Sequence, residues 1–213
     1  MIEELKYRLK FLYFSEIIIV ICILIYLISE VTRFSTGESF PLTWFSNTNY
    51  ILINSEVYRL FTSVFTHVNL IHLLFNMFSL YQVGRLFEQI WGGRKFLIVY
   101  VVGGLGGSIF GILNSISGYF TAETSLSNYI LSNPIYLSVG ASGAIFALLG
   151  YIFLKKLRER DTIMSDNAVL NIDLKSLGII ILLNLYLGFT SSNIDNAAHI
   201  GGLLTGVLLA IFL

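Results

Sequence analysis

Long hydrophobic runs that carry almost no charge constrain this chain more than any other feature of its sequence. The run Ile17–Ile28 is hydrophobic at every position, and hydrophobic residues make up 55% of the 213 residues. Charged residues make up only 12%, whereas a soluble domain usually carries about 25%. The chain therefore has too little polar surface to cover a water-soluble globule, which excludes a soluble enzyme and a disordered tail. Its single cysteine, Cys22, excludes a disulfide scaffold.

These runs predict a membrane protein, because a helix that crosses a bilayer needs about 20 mostly apolar residues. We predict an all-α, polytopic bundle of six transmembrane helices, with residues 1–213 forming a single domain. Its long first loop, Thr32–Asn69, mixes aromatic and polar residues and is predicted to lie at the membrane interface. The fifth span is short, so five spans are the alternative. The predicted spans are Phe11–Val31, Leu70–Ile90, Phe96–Ile116, Ile135–Leu154, Leu177–Phe189 and Ala197–Leu213.

The basic residues predict the orientation in the membrane. Of the 13 lysines and arginines, 11 lie before the first span, flank the turn between the second and third, or lie between the fourth and fifth. Because positive charge collects on the cytoplasmic side, both termini are predicted to be cytoplasmic. We expect a multi-pass protein of the plasma membrane, since no cleavable signal is recognised. The sequence has no basic block of the kind that binds nucleic acid.

Four polar side chains stand out within the predicted spans, where polar groups are costly and mark functional sites. They are His72, Asn76, Ser142 and His199. His72 and Asn76 are four residues apart, which places them on one face of a helix. The second, fourth and sixth spans all run from outside to inside. All four side chains are therefore expected at a similar depth, roughly 5–15 Å below the outer surface.

Small residues predict which helices approach each other most closely. Such residues let helix backbones come into contact, and Ser142 and His199 each neighbour a small-residue face. We therefore predict that the fourth and sixth helices touch and bring Ser142 and His199 within hydrogen-bond distance. The small residues are Gly143, Ala147 and Gly150 in the fourth span, and Ala198, Gly202, Gly206 and Ala210 in the sixth.

A serine hydroxyl beside an imidazole is the arrangement of a nucleophile and its general base. Histidine suits the second role because it takes up and returns a proton near neutral pH. His72, Asn76 and the backbone N–H of Ser142 are candidate donors to an oxyanion. No obvious acid completes a triad, although Asp195 precedes His199 by four residues. The residues therefore favour a Ser142–His199 dyad over a triad.

Other interpretations of the histidines stay open at this point. His67, His72 and His199 match the number of ligands in a catalytic zinc site. They lack the His-Glu-x-x-His spacing and no intramembrane carboxylate joins them, so we expect no metal and no cofactor. His67 is then interpreted as an interfacial or loop-organising residue. A transporter that uses His72 and His199 is a further alternative, although the sequence has no internal repeat of the kind that transporters show.

Three of these motifs together resemble the rhomboid intramembrane serine proteases. They are His72-x-x-x-Asn76, Gly140-Ala-Ser-Gly143 and Ala198-His-x-Gly-Gly202. Tyr58-Arg-Leu-Phe-Thr-Ser-Val-Phe-Thr-His67 resembles the Trp-Arg segment of the family's first loop, and Phe87-Glu-Gln-Ile-Trp-Gly92 resembles the end of its second helix. The resemblance extends from about Asn54 to Leu213.

The resemblance implies a role for each matching residue. Ser142 matches the nucleophile and His199 the general base, while His72 and Asn76 match the oxyanion donors. Arg59 resembles a loop anchor. The supporting residues are Gly140 and Gly143 in the Gly-x-Ser-Gly turn, and Phe146, which stands where the family often has a tyrosine packed against the histidine.

The family further implies a membrane protease domain that hydrolyses transmembrane protein substrates within the lipid bilayer. Its active site opens to the outside, and its fifth helix takes part in gating the access of substrate. The alternative within the family is a non-catalytic, client-binding relative. Such a relative is expected to lack the serine or the histidine, and both are present here.

Overall fold

The structure is a computed structural model that describes residues 13–133, 136–158, 173–190 and 194–213. These residues form six long helices joined by shorter elements, so the predicted all-α bundle of apolar helices is confirmed. The long helices are α1 (Phe14–Thr36), α2 (Leu70–Trp91), α3 (Gly93–Ser115), α4 (Ser142–Arg158), α5 (Leu174–Thr190) and α6 (Asn196–Phe212). The shorter elements are the α-helices Phe40–Phe45, Ile51–Asn54, Arg59–Thr62 and Leu126–Ser132, the 3₁₀ turns Ser63–Phe65 and Ser117–Thr121, and the strands β1 (Asn47–Thr48) and β2 (Leu137–Ser138).

Two of these helices are long and apolar enough to cross a membrane. They are α1 and α3, the latter taken together with the turn that ends at Thr121. A third would be α2 joined to the segment Arg59–Phe65, which meets it at an angle of 90°. Helices α4, α5 and α6 have 17 residues each, or about 25 Å of rise. The number of six spans therefore stays a prediction.

The fourth predicted span begins too early. Of the predicted segment Ile135–Leu154, residues 136–141 are not helical, and α4 starts only at Ser142. Two features cause the delay. Strand β2 pairs antiparallel with β1 of the first loop, matching Asn47 with Ser138. Gly140 then takes a φ of +116°, which a helix does not allow and which glycine adopts without steric cost.

Helices α3, α4 and α6 form the centre of the bundle, and glycines set how closely they pack. A Cβ atom at Gly202 would overlap the carbonyl group of Gly143, and one at Gly206 would overlap the carbonyl group of Ala147. At the same junction, a Cβ atom at Gly107 of α3 would lie 2.8 Å from the carbonyl oxygen of Ala198 and 3.3 Å from the Cα atom of Gly143. The predicted close approach of α4 and α6 is therefore confirmed.

Helix α1 packs at the edge of the bundle against α2. A buried carboxylate, that of Glu88, accepts hydrogen bonds from the backbone N–H of Phe14 at 2.8 Å, and from the N–H and hydroxyl of Ser15 at 2.8 and 2.7 Å. It therefore satisfies donors at the start of α1 and places a negative charge at the positive end of that helix. Most apolar side chains of α1 and α5 point away from the protein, as lipid-facing side chains do.

The first loop is folded onto the bundle through hydrogen bonds. Arg59 is buried, and its guanidinium donates to the carbonyl oxygens of Thr43 at 2.9 Å and Ser46 at 3.2 Å. The buried Asn47 amide donates to the carbonyl of Ser108 in α3 at 3.0 Å. These contacts fix β1, which in turn holds β2 and the chain that leads to Ser142.

Candidate active site

Ser142 is the first residue of α4, directly after the turn at Gly140. The carbonyl of Ala141 already accepts the helical hydrogen bond from the N–H of Ile145 at 3.0 Å. The N–H of Ser142 therefore has no partner within the helix, because the first N–H groups of a helix never do. The turn itself is fixed by the first loop, since the N–H of Gly140 donates to the carbonyl of Ser63 at 2.9 Å. The Ser142 side chain is half-buried.

The side chains of Ser142 and His199 are in direct contact. Nε2 of His199 lies 2.9 Å from Oγ of Ser142, a normal hydrogen-bond distance. His199 is buried in the first turn of α6, and its Nδ1 has no hydrogen-bond partner in the described parts of the chain. With the proton on Nδ1, Nε2 accepts the hydroxyl proton of Ser142. The predicted proximity of these two residues is confirmed.

Phe146 packs on a face of the same imidazole. The two rings are nearly parallel, with centroids 4.4 Å apart and planes 14° apart. Phe146 is one turn after Ser142 on α4, so a single helix carries both the hydroxyl and the ring that holds the imidazole against it. The phenyl ring offers no hydrogen bond to His199.

His72 and Asn76 of α2 face the turn before Ser142. A Cβ atom at Gly140 would lie 2.7 Å from Nε2 of His72 and 3.5 Å from Nδ2 of Asn76. The Asn76 amide also donates to the carbonyl of His72 at 3.0 Å, which uses one of its two N–H bonds. The glycine at position 140 lets both side chains come close to the backbone that precedes the serine.

His67 is fully buried and lies next to His72, with ring centroids 5.1 Å apart. It lies in the short connection between the 3₁₀ turn Ser63–Phe65 and α2. Within the described ranges no three His, Cys, Asp or Glu residues are grouped as metal ligands. The interpretation of His67 as an interfacial or loop-organising residue stays a prediction.

Sequence reasoning did not find Tyr136. Its hydroxyl donates a hydrogen bond to the carboxylate of Asp195, the residue that caps α6. Asn47 was also missed, although it is buried and joins the first loop to α3. Neither residue belongs to a motif with recognisable spacing, so no signal in the sequence pointed to them.

The part of the chain that carries these residues matches a known protein family. The family model of the Rhomboid domain matches residues 54–213, which include every residue of the site. The chain belongs to the rhomboid family. This membership and the apolar helices together make it an integral membrane protein.

Several rhomboid relatives align with most of the chain. Rhomboid protease GluP of Bacillus subtilis is 31% identical over 197 residues, which is 92% of this chain and 34% of GluP. RHOMBOID-like protein 2 of Arabidopsis thaliana is 39% identical over 156 residues, or 73% of this chain and 42% of the relative. Rhomboid protease GlpG of Salmonella choleraesuis is 26% identical over 194 residues, or 91% of this chain and 60% of GlpG. The chain thus spans from about a third to somewhat over half of the length of these relatives.

Proposed function

We propose that this rhomboid chain is an intramembrane serine endopeptidase that cleaves transmembrane protein substrates by a Ser142–His199 dyad. The observation that carries the proposal is the 2.9 Å contact between Oγ of Ser142 and Nε2 of His199 inside a bundle of apolar helices. A hydroxyl on a neutral base at this distance is the arrangement of covalent acyl transfer. The names of GluP and GlpG as proteases support the same activity.

The reaction begins with attack of Ser142 Oγ on the carbonyl carbon of the scissile peptide bond, while Nε2 of His199 takes the hydroxyl proton. The tetrahedral intermediate collapses when His199 returns that proton to the leaving amine nitrogen, and the acyl group stays on Ser142. A water molecule then attacks the ester carbon and gives a proton to His199. Ser142 leaves with that proton, and the new carboxyl terminus is released.

The negative oxygen of both intermediates needs donors that are already in place. The N–H of Ser142 points out of the first turn of α4, where the helix dipole also favours negative charge. We assign Nε2 of His72 and the second N–H of the Asn76 amide as the further donors, since both side chains face Gly140. Gly140, Gly143 and Phe146 support this arrangement by backbone geometry, helix contact and ring stacking.

Substrate access belongs to the same proposal. A groove of about 470 Å³ lies between α2 and α5, with Leu149 and Ile152 of α4 at its base. Its walls include Val83 and Leu86 of α2, and Leu177 and Ile180 of α5. The groove lies two to three turns along α4 from Ser142, on the side away from the predicted outer opening. The proposal adds that α5 moves away from α2 to admit the substrate, as gating by the fifth helix requires. The proposal also includes a single domain over residues 1–213, a location in the plasma membrane and a site that faces outward. These parts rest on the apolar spans and on the distribution of the basic residues.

The test is cleavage of a membrane substrate by the full chain in liposomes. The substrate is a fluorescent transmembrane peptide with small residues near the outer end of its helix. We expect cleavage by the wild type and a loss of several orders of magnitude in Ser142→Ala. Ser79→Ala, a matched change in α2, should cleave like the wild type. Cleavage by Ser142→Ala at the wild-type rate would overturn the proposal, and so would binding of the peptide by the wild type without cleavage.

A further inference from the structure

A hydrogen bond between Tyr136 and Asp195 joins the two segments that carry the dyad. Tyr136 directly precedes β2 on the chain that leads to Ser142, and Asp195 directly precedes α6, which carries His199. The phenol O–H donates to Oδ2 of Asp195. The other carboxylate oxygen, Oδ1, accepts from the N–H of Ala198 at 3.0 Å and so caps α6. One carboxylate therefore bonds to both segments.

This pair lies against α3 at a glycine. A Cβ atom at Gly111 would lie 2.8 Å from Oδ2 of Asp195 and would overlap the hydroxyl of Tyr136. The glycine thus leaves just enough space for the tyrosine and the carboxylate to meet. Three segments therefore meet at this point: the chain before β2, the start of α6, and α3.

The chemistry of the pair favours a stable hydrogen bond. Burial, and next the negative charge of Asp195, raise the pKa of Tyr136, so the phenol stays protonated and continues to donate. A hydrogen bond to a charged acceptor is stronger than one between neutral groups. The backbone carbonyl of Asp195 also accepts from the N–H of His199 at 3.2 Å, which places the pair one helical turn from the base.

We propose that Tyr136 and Asp195 are positioning residues that hold the Ser142 segment and the first turn of α6 in register. The inference rests on the proposed protease function. Neither residue is assigned a contact with substrate; each acts through the distance between Oγ of Ser142 and Nε2 of His199. Because a displacement of about 1 Å can cost about a hundredfold in rate, loss of the pair should lower kcat by about tenfold to a hundredfold.

Two substitutions remove the charge-assisted hydrogen bond from the phenol to the carboxylate with little change in shape. Tyr136→Phe deletes the hydroxyl alone. Asp195→Asn keeps the capping oxygen for Ala198 but replaces Oδ2 by an amide nitrogen, which can only donate to the phenol oxygen, so the charge-assisted hydrogen bond is lost. The matched control is Tyr129→Phe, since Tyr129 is half-buried in the helix Leu126–Ser132, outside the dyad segments. A merely structural role would lower the folded fraction and leave the kcat of the folded molecules unchanged.

The experiment measures kcat and KM for cleavage of the transmembrane peptide in liposomes. The concentration of active sites is determined by titration with a fluorophosphonate, and the thermal midpoint of each variant is measured as well. We expect a lower kcat and an unchanged KM for Tyr136→Phe and for Asp195→Asn, and no further loss in the double variant. Tyr129→Phe should match the wild type. If Tyr136→Phe does not fold, Asp195→Asn decides the question alone.

A steric pair of variants gives an independent comparison. Gly111→Ala adds a methyl group against the hydroxyl of Tyr136, and Gly118→Ala adds one 2.6 Å from the hydroxyl of Tyr129. Only Gly111→Ala should lower kcat. The inference is overturned if Tyr136→Phe and Asp195→Asn retain the kcat of Tyr129→Phe while Ser142→Ala is inactive. Cleavage by Ser142→Ala would instead overturn the proposed function itself.

Discussion

The ring of Phe146 lies parallel to the imidazole of His199, with centroids 4.4 Å apart. The stack covers one face of the imidazole, while Nε2 at the ring edge contacts Ser142. It limits rotation of the base about its side-chain bonds. An aromatic pair of this kind contributes about 0.5–1.5 kcal/mol beyond the area that it buries. Hydrophobicity alone does not explain a ring at this position, since an aliphatic side chain would fill the volume without fixing the orientation of the imidazole.

Replacement of Phe146 should therefore reduce the rate without abolishing it. We expect Phe146→Leu to lower kcat by about 2- to 12-fold, which is the stacking free energy expressed as a rate ratio. Phe146→Tyr keeps the ring and should retain the wild-type rate. The measurement is cleavage of the transmembrane peptide per titrated active site. A Phe146→Leu enzyme as fast as Phe146→Tyr would show that the stack does not orient the base.

Asn76 offers a test of the oxyanion assignment. Loss of one donor to the oxyanion typically costs about 10²–10³ in kcat, so Asn76→Ala should show a loss of that order with little change in KM. Asn184→Ala of α5 is the matched control, because the Asn184 amide donates to the carbonyl of Ile180 at 2.8 Å in the same local pattern. Steady-state kinetics would contradict the assignment if both variants kept the wild-type kcat.

The contact between α4 and α6 should be sensitive to a single methyl group. Gly206→Ala would place a Cβ atom on the carbonyl of Ala147, and overpacking of this kind costs about 1–3 kcal/mol or more. Gly178→Ala is the control, because its Cβ atom would lie 3.8 Å from Phe153, an ordinary contact. We expect the thermal midpoint in detergent to fall for Gly206→Ala and to stay or rise for Gly178→Ala. Equal midpoints would refute the close contact.

Movement of α5 can be tested across the groove that separates it from α2. The variant carries Leu86→Cys and Ile180→Cys in a chain with Cys22→Ala, and a bifunctional maleimide joins the two new cysteines. If α5 must move to admit a transmembrane substrate, the joined protein should stop cleaving the peptide but still react at Ser142 with a small phosphonate. Single-cysteine variants treated with the reagent control for its addition. Undiminished peptide cleavage in the joined protein would exclude a gate that separates α2 from α5 at Leu86 and Ile180.

Much of the bundle is predictable because its signals are local. Apolar runs located five of the long helices to within a few residues, and the small residues around Gly202 and Gly206 indicated that α4 and α6 touch. Ser142 and His199 could be paired from the depth and direction of their helices. The helices and their small-residue faces are each marked within one segment, and the pairing of Ser142 with His199 follows from the order of the spans.

The remaining features depend on contacts between distant parts of the chain. The start of α4 was misplaced because β2 pairs with Asn47, about ninety residues earlier, and no local pattern marks that pairing. The bond between Tyr136 and Asp195 likewise joins residues of common type that are far apart in sequence. The six-span count is untested because α4, α5 and α6 are shorter than the usual span of about 20 residues.

The central claim is that Ser142, activated by His199, is the nucleophile. The most direct measurement treats the full chain in liposomes with a fluorophosphonate, maps the adduct by mass spectrometry, and follows peptide cleavage in the same samples. The account predicts an adduct on Oγ of Ser142, cleavage that falls in proportion to the labelled fraction, and no labelling of His199→Ala. Complete labelling of Ser142 with undiminished cleavage would contradict it.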